Sequence, residues 1–77
     1  MRKFLYSSES QRLGAWLKQG RNAAGLSMRD LAEILEIHHS IVGKVETGHR
    51  RLDIVEYLEY CEALNLKPEK GLKIIRG

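Results

Sequence analysis

The chain has 77 residues, a net charge of +3 and a pI of about 9.2, with 43% hydrophobic and 30% charged residues. That length allows one small domain around a single core and leaves no room for a separate ligand domain, and the composition excludes a disordered chain. The lone cysteine, Cys61, excludes an internal disulfide and fits a reducing cytoplasm, no apolar run is long enough to span a membrane, and the mild basic excess suits a nucleic-acid partner.

The chain opens with an arm, residues 1–7, in which Arg2 and Lys3 precede the apolar Phe4, Leu5 and Tyr6. That apolar run is too short for a signal peptide. A loose terminus with Phe4 or Leu5 tucked onto the core is the expectation; an arm on a partner subunit or on phosphates is the alternative. The first helix is predicted over about residues 9–24, with Ser8 and Gln11 as a capping box. Leu13, Trp16, Leu17, Gly20 and Ala24 share its buried face, and Gly14 and Gly20 suggest close approach by another helix. Gly25 ends the helix, with Leu26 packing back behind it.

Residues 27–48, SMRDLAEILEIHHSIVGKVETG, read as two short helices joined by a tight corner. Ser27 caps the first, and Asp30 completes a capping box. Leu31, Ala32 and Leu35 fall on one face, while Met28, Arg29, Glu33 and Ile34 point away. Glu36, Ile37 and His38 form the corner, with Ile37 as its apolar plug. A left-handed conformation at Glu36 would cost about 1 kcal/mol or more. The second helix starts near His39, buries Val42 and Val45, and ends at Gly48. This is the helix-turn-helix pattern, whose second helix enters the DNA major groove. His39, Ser40, Gly43 and Lys44 lie opposite its buried valines.

His49, Arg50 and Arg51 make the densest positive cluster, placed to lie on the phosphate backbone beside the groove. The next helix opens at Asp53, capped with Glu56, and Ile54, Tyr57, Leu58, Cys61 and Leu64 form its expected buried stripe. Tyr60 sits beside that stripe, where it can reach a partner subunit. Residues 68–77 form a last helix or tail, with Pro68 at its first position and Glu69 in its first turn. Leu72, Ile74 and Ile75 need cover there: they complete the core or form a dimer interface.

SxxxLAxxLxIxxSxVxKVExG, flanked by LGAWLKQGRNAAGLS (13–27) and IVEYLEYCEALNL (54–66), resembles the phage-repressor-like family of regulators, the Xre/Cro type. The resemblance covers about two thirds of the chain. It implies an all-α, lambda-repressor-like DNA-binding domain of about five short helices. It also implies that Arg21 in the first helix bonds Glu46 near the end of the recognition helix, a structural pair fixing the angle between the two. By the same resemblance, His39, Ser40 and Lys44 reach base edges and Gly43 lies along the groove. Ser40 divides evenly between a base and a phosphate. Lys44 can donate to guanine O6 and N7. The start of the helix-turn-helix should meet a phosphate through backbone N–H groups, Ser27 and Arg29. Many relatives carry glutamine where this chain has Met28, which leaves that residue only its backbone. His38 caps the recognition helix or touches a phosphate.

Together these features imply a sequence-specific, double-stranded-DNA-binding regulator, a repressor working as a homodimer on a palindromic operator. A protein-interaction module of the same fold, an antitoxin or adaptor with a toxin or antirepressor as partner, is the alternative. No small-molecule effector and no cofactor are expected. His38, His39 and His49 do not make a metal site, since no acidic or cysteine ligand stands at a suitable spacing. An enzyme is excluded on the lack of any nucleophile, base and orienting group at plausible places.

Overall fold

The computed structural model describes residues 7–77. The arm expected over residues 1–7 therefore lies outside the described residues, except for Ser7. Among the described residues there are five helices and no strand: α1 (Ser8–Ala23), α2 (Met28–Leu35), α3 (His39–Glu46), α4 (Ile54–Leu64) and α5 (Pro68–Arg76).

Four of the five helix starts follow from a short polar side chain or a proline, and α3 starts on the His38 imidazole. α1 begins one residue earlier than its sequence suggests. Ser7, not Ser8, is the cap, accepting from the Ser10 N–H at 3.1 Å, and the Ser8 hydroxyl turns instead to Glu9. α2 and α4 both carry complete capping boxes, Ser27 with Asp30 and Asp53 with Glu56. In the first, the bond donated by the Ser27 backbone N–H holds the Asp30 carboxyl below its ordinary pKa. α5 has no side-chain cap and starts on Pro68, whose missing N–H would have had no helical partner.

The first four helices end alike. Gly25, Glu36, Gly48 and Asn65 adopt positive φ, and the next N–H returns to the last turn: Leu26 to the Arg21 carbonyl, Ile37 to Ala32, His49 to Lys44 and Leu66 to Cys61. These are Schellman closures. Leu26, Ile37 and Leu66 then pack against the core. At Glu36, with φ 57°, the corner is built without glycine, and its two returning bonds offset the strain.

Leu17, Leu31, Ala32, Val42, Val45, Tyr60 and Leu64 form the buried core. α1 crosses α3 at Gly14, where a β-carbon would sit 2.7 Å from the Glu46 carbonyl oxygen and closer still to that of Val45. Only glycine permits that approach. α5 lies on the bundle through Gly71, against Trp16 and Tyr57, rather than through its large apolar residues. Leu72 and Ile74 are exposed and Ile75 is half-buried. Two further bonds hold α5. The Tyr57 hydroxyl donates to the Pro68 carbonyl at 2.6 Å, and the Arg12 guanidinium donates to the Ile74 and Ile75 carbonyls at 3.1 and 2.6 Å. A cation at those last carbonyls also suits the helix dipole.

Three expectations are corrected. Ala24 is exposed, because α1 closes at Gly25 before another turn can carry it inward. The buried stripe of α4 is Tyr57, Tyr60, Cys61 and Leu64, whereas Ile54 is 64% and Leu58 48% exposed. Tyr60, only 2% exposed, is core and cannot reach a partner subunit.

Arg21 and Glu46 are both buried, at 7% and 6% exposure. The Arg21 Nε and Nη2 donate to the two Glu46 carboxylate oxygens at 2.6 and 3.0 Å, and Nη1 donates to the Leu26 carbonyl at 2.8 Å. The Glu46 bonds push the pKa of Arg21 up despite its burial. One guanidinium thus closes the end of α1 and clamps the end of α3. Tyr60 lies within electrostatic reach of both groups, but its hydroxyl has no hydrogen-bond partner among the described residues. Burial pushes its pKa up and keeps it neutral.

Two outcomes follow for urea unfolding. Arg21→Lys keeps the charge and loses the fork, so stability should fall by about 2 kcal/mol, the worth of one hydrogen bond to a charged group. A midpoint within error of the parent would show that the fork contributes nothing. Tyr60→Phe removes a buried hydroxyl without a partner and should raise stability by about 1 kcal/mol. A comparable loss would mean that the hydroxyl is bonded in solution.

Candidate nucleic-acid interface

α3 shows two different sides. Val42, Val45 and Glu46 are buried, and His39, Ser40 and Lys44 are exposed on the other side. The inner side is fixed by the core, by the Arg21 fork and by the contact of α1 at Gly14. The outer side is polar, short at its start and cationic in its last turn. Gly43 is half-buried, and a β-carbon there would meet the Met28 sulfur at 3.8 Å. The first side chain of α2 therefore lies across the middle of α3.

Met28 has no polar atom in its side chain able to donate to a phosphate. The Met28 and Arg29 N–H groups have no partner within α2, because a helix leaves its first amides unpaired. The Ser27 hydroxyl accepts from the Asp30 N–H and donates its own proton to the Asp30 carboxylate. Arg29 is exposed beside them. The start of α2 can thus offer an anion two amides and a guanidinium.

His38 stands outside α3 in an extended conformation, φ −72° and ψ 141°, and caps it: its Nδ1 accepts from the Ser40 N–H at 3.1 Å. The same Nδ1 lies 2.8 Å from the Ser40 Oγ. The His38 and His39 rings stack with centroids 4.5 Å apart. Two neighbours inside a helix could not do so, but the cap position turns the His38 ring back over His39. Among the described residues no group of three or more His, Cys, Asp or Glu could hold a metal ion. Cys61 is buried, and burial pushes its thiol pKa up.

The loop after α3 is more engaged than a solvated charge run. His49 folds back so that its Nδ1 lies 3.0 Å from the Thr47 hydroxyl. Arg50 is half-buried. It donates to the Arg51 carbonyl at 2.9 Å and lies 3.5 Å from the Glu56 carboxylate, turned toward α4. Arg51 is exposed. Beside this loop, Leu13, Gly14, Val45, Leu52 and Ile75 line an open cleft of about 320 Å³ that holds no histidine or cysteine.

Sequence reading places the exposed side of α3, the start of α2 and the basic loop together, and of these the structure sets Met28 of α2 against Gly43 of α3. It misses the hydrogen bond that joins His38 to Ser40 and the turning of Arg50 toward Glu56. The first is foreshadowed by a histidine two residues before a serine at a helix start; the second has no local signal.

Over residues 17–70 the chain matches the model of a helix-turn-helix family. It is similar to the restriction-modification controller protein C.AhdI from Aeromonas hydrophila at 32% identity, over 84% of this chain and 98% of that one, with a TM-score of 0.79. It is similar to an XRE-family like protein from Pseudomonas syringae at 32% identity, over 90% of this chain and 84% of that one, with a TM-score of 0.77. The clp gene regulator ClgR from Corynebacterium glutamicum shares the fold, with a TM-score of 0.83 at 24% identity over 94% of this chain and 92% of that one. No curated protein matches the chain. Among the described residues no helix is long and apolar enough to cross a membrane. With five helices arranged as in the lambda-repressor-like fold, the chain belongs to the Xre-type helix-turn-helix family of DNA-binding transcription regulators.

Proposed function

We propose that this chain is a sequence-specific repressor that binds double-stranded DNA as a homodimer on a palindromic operator. The observation that carries the reading is the two-sided α3, its valines and Glu46 locked inward while His39, Ser40 and Lys44 face solvent. In this reading those three side chains reach base edges, and Gly43 keeps the groove face low. The backbone amides of Met28 and Arg29, the Arg29 side chain, His38, His49 and Arg51 take phosphates. Arg50 does so only by loosening its long, half-exposed pair with Glu56, and Ser27 only by turning its hydroxyl proton away from Asp30.

α3 has eight residues and is about 12 Å long, so one copy reads a half-site and a two-fold pair reads two, roughly 34 Å apart. The exposed apolar residues Ile54, Val55 and Leu58 on α4 and Leu72 and Ile74 on α5 supply surface for a second copy. The likeness to a restriction-modification controller protein supports a regulatory role. The same apolar residues also favour the second reading, a module that binds another protein.

Selection from a random duplex pool, followed by fluorescence anisotropy across a salt series, tests the proposal. Affinity for the enriched site must fall steeply as salt rises. Lys44→Ala should lose discrimination at one base position, by about 1–3 kcal/mol, while leaving the rest of the site intact. An equal loss on every duplex would contradict base contact. Arg51→Ala should weaken all duplexes alike and lower the salt slope by about 1. An unchanged slope would remove Arg51 from the phosphate contacts.

A further inference from the structure

We propose that His38 sets the specificity of its neighbour: it fixes the Ser40 hydroxyl as a hydrogen-bond acceptor, so that residue 40 selects an exocyclic amino group, adenine N6 or cytosine N4. This rests on α3 being the base-reading helix.

The deduction starts from an amide. The Ser40 backbone N–H points at His38 Nδ1, 3.1 Å away. An N–H can only donate, so Nδ1 presents its lone pair and carries no proton. The neutral imidazole then holds its proton on Nε2. The Ser40 Oγ lies 2.8 Å from the same Nδ1. With no proton on Nδ1, the hydroxyl must be the donor in that contact. A serine hydroxyl has one proton, and here it is spent on His38. Two lone pairs remain at Oγ, and they can only accept.

That polarity divides the DNA surface. Phosphate oxygens are acceptors and cannot bond to such an oxygen. Guanine O6 and N7, adenine N7 and thymine O4 are acceptors too. In the major groove only adenine N6 and cytosine N4 offer a proton. Ser40 is therefore directed to a base, and to one chemical group on that base. His38 retains its Nε2 proton, a donor suited to a phosphate. The arrangement is held from both sides: the amide of Ser40 fixes one edge of the ring, and the His39 ring stacks on its face at 4.5 Å.

The test uses the full chain and the duplex enriched from a random pool. Single atoms in that duplex are then deleted: adenine replaced by unsubstituted purine, cytosine by 2-pyrimidinone, purine N7 by 7-deaza analogues, thymine O4 by its deoxygenated analogue. One amino deletion should cost the wild type about five-fold in affinity, the worth of one net hydrogen bond, and should cost Ser40→Ala nothing. His38→Ala should lose the same dependence. His38→Asn, whose carbonyl oxygen accepts from both the Ser40 N–H and hydroxyl, should restore it. A merely structural cap would instead move affinity for all duplexes together. A Ser40-dependent loss that maps to a carbonyl oxygen or to N7 overturns the proposal, as does a Ser40→Ala penalty equal on every duplex. If the pool yields no enriched sequence, the reading of α3 as a base reader has failed and the proposal falls with it. Should His38→Ala not fold, the long-range ¹H–¹⁵N spectrum of the wild-type His38 imidazole decides: an unprotonated Nδ1 supports the assignment, and a protonated Nδ1 overturns it.

Discussion

The fork between Arg21 and Glu46 is the contact on which the rest of the molecule depends. Glu46 is the last residue of α3, where the helix dipole disfavours a carboxylate. Burial disfavours it further. Both costs are offset by two parallel bonds from a planar guanidinium that lysine could not reproduce. Arg21 is in the last turn of α1, where a cation is favoured, and its third nitrogen takes the Leu26 carbonyl in the closure behind that helix. The pair joins residues 25 apart in sequence and fixes how α3 leans on α1. Gly14 completes the fit by letting the helices meet backbone to side-chain-free backbone.

A recognition helix works only when its outward side is held still. α3 has eight residues, too few to be stable alone in water. Its order comes from both ends: the His38 cap at the start, the Gly48 closure and Glu46 clamp at the finish. Val42 and Val45 anchor the middle. On the outer side the Ser40 hydroxyl and the His39 ring are both held against His38.

The helix-turn-helix was legible in the sequence because its signals are local. Capping boxes at Ser27 and Asp53, glycine closures at Gly25 and Gly48 and the apolar spacing of Leu31, Val42 and Val45 each act within one or two turns. α4 was misread for a physical reason. Eight of its eleven residues are apolar or aromatic, so periodicity offers overlapping faces rather than one. The face that turns inward is the one whose Tyr60 and Leu64 join the core of α1, α2 and α3, with Tyr57 set against Gly71 and bonded to Pro68 of α5. The grip of Arg12 on the end of α5 spans more than sixty residues and leaves no trace in either segment alone. The link between His38 and Ser40 is local, but it depends on the direction of a cap ring that sequence does not specify.

The most direct test of the central claim is a backbone amide NMR titration of the protein with the enriched duplex. The account predicts the largest shifts at the start of α2 and from His38 through Lys44, with the Arg21 side-chain signal and the core amides of α1 nearly unmoved, as a rigid helix reading DNA on one side requires. Shifts confined to α4 and α5, with α3 silent, would contradict it.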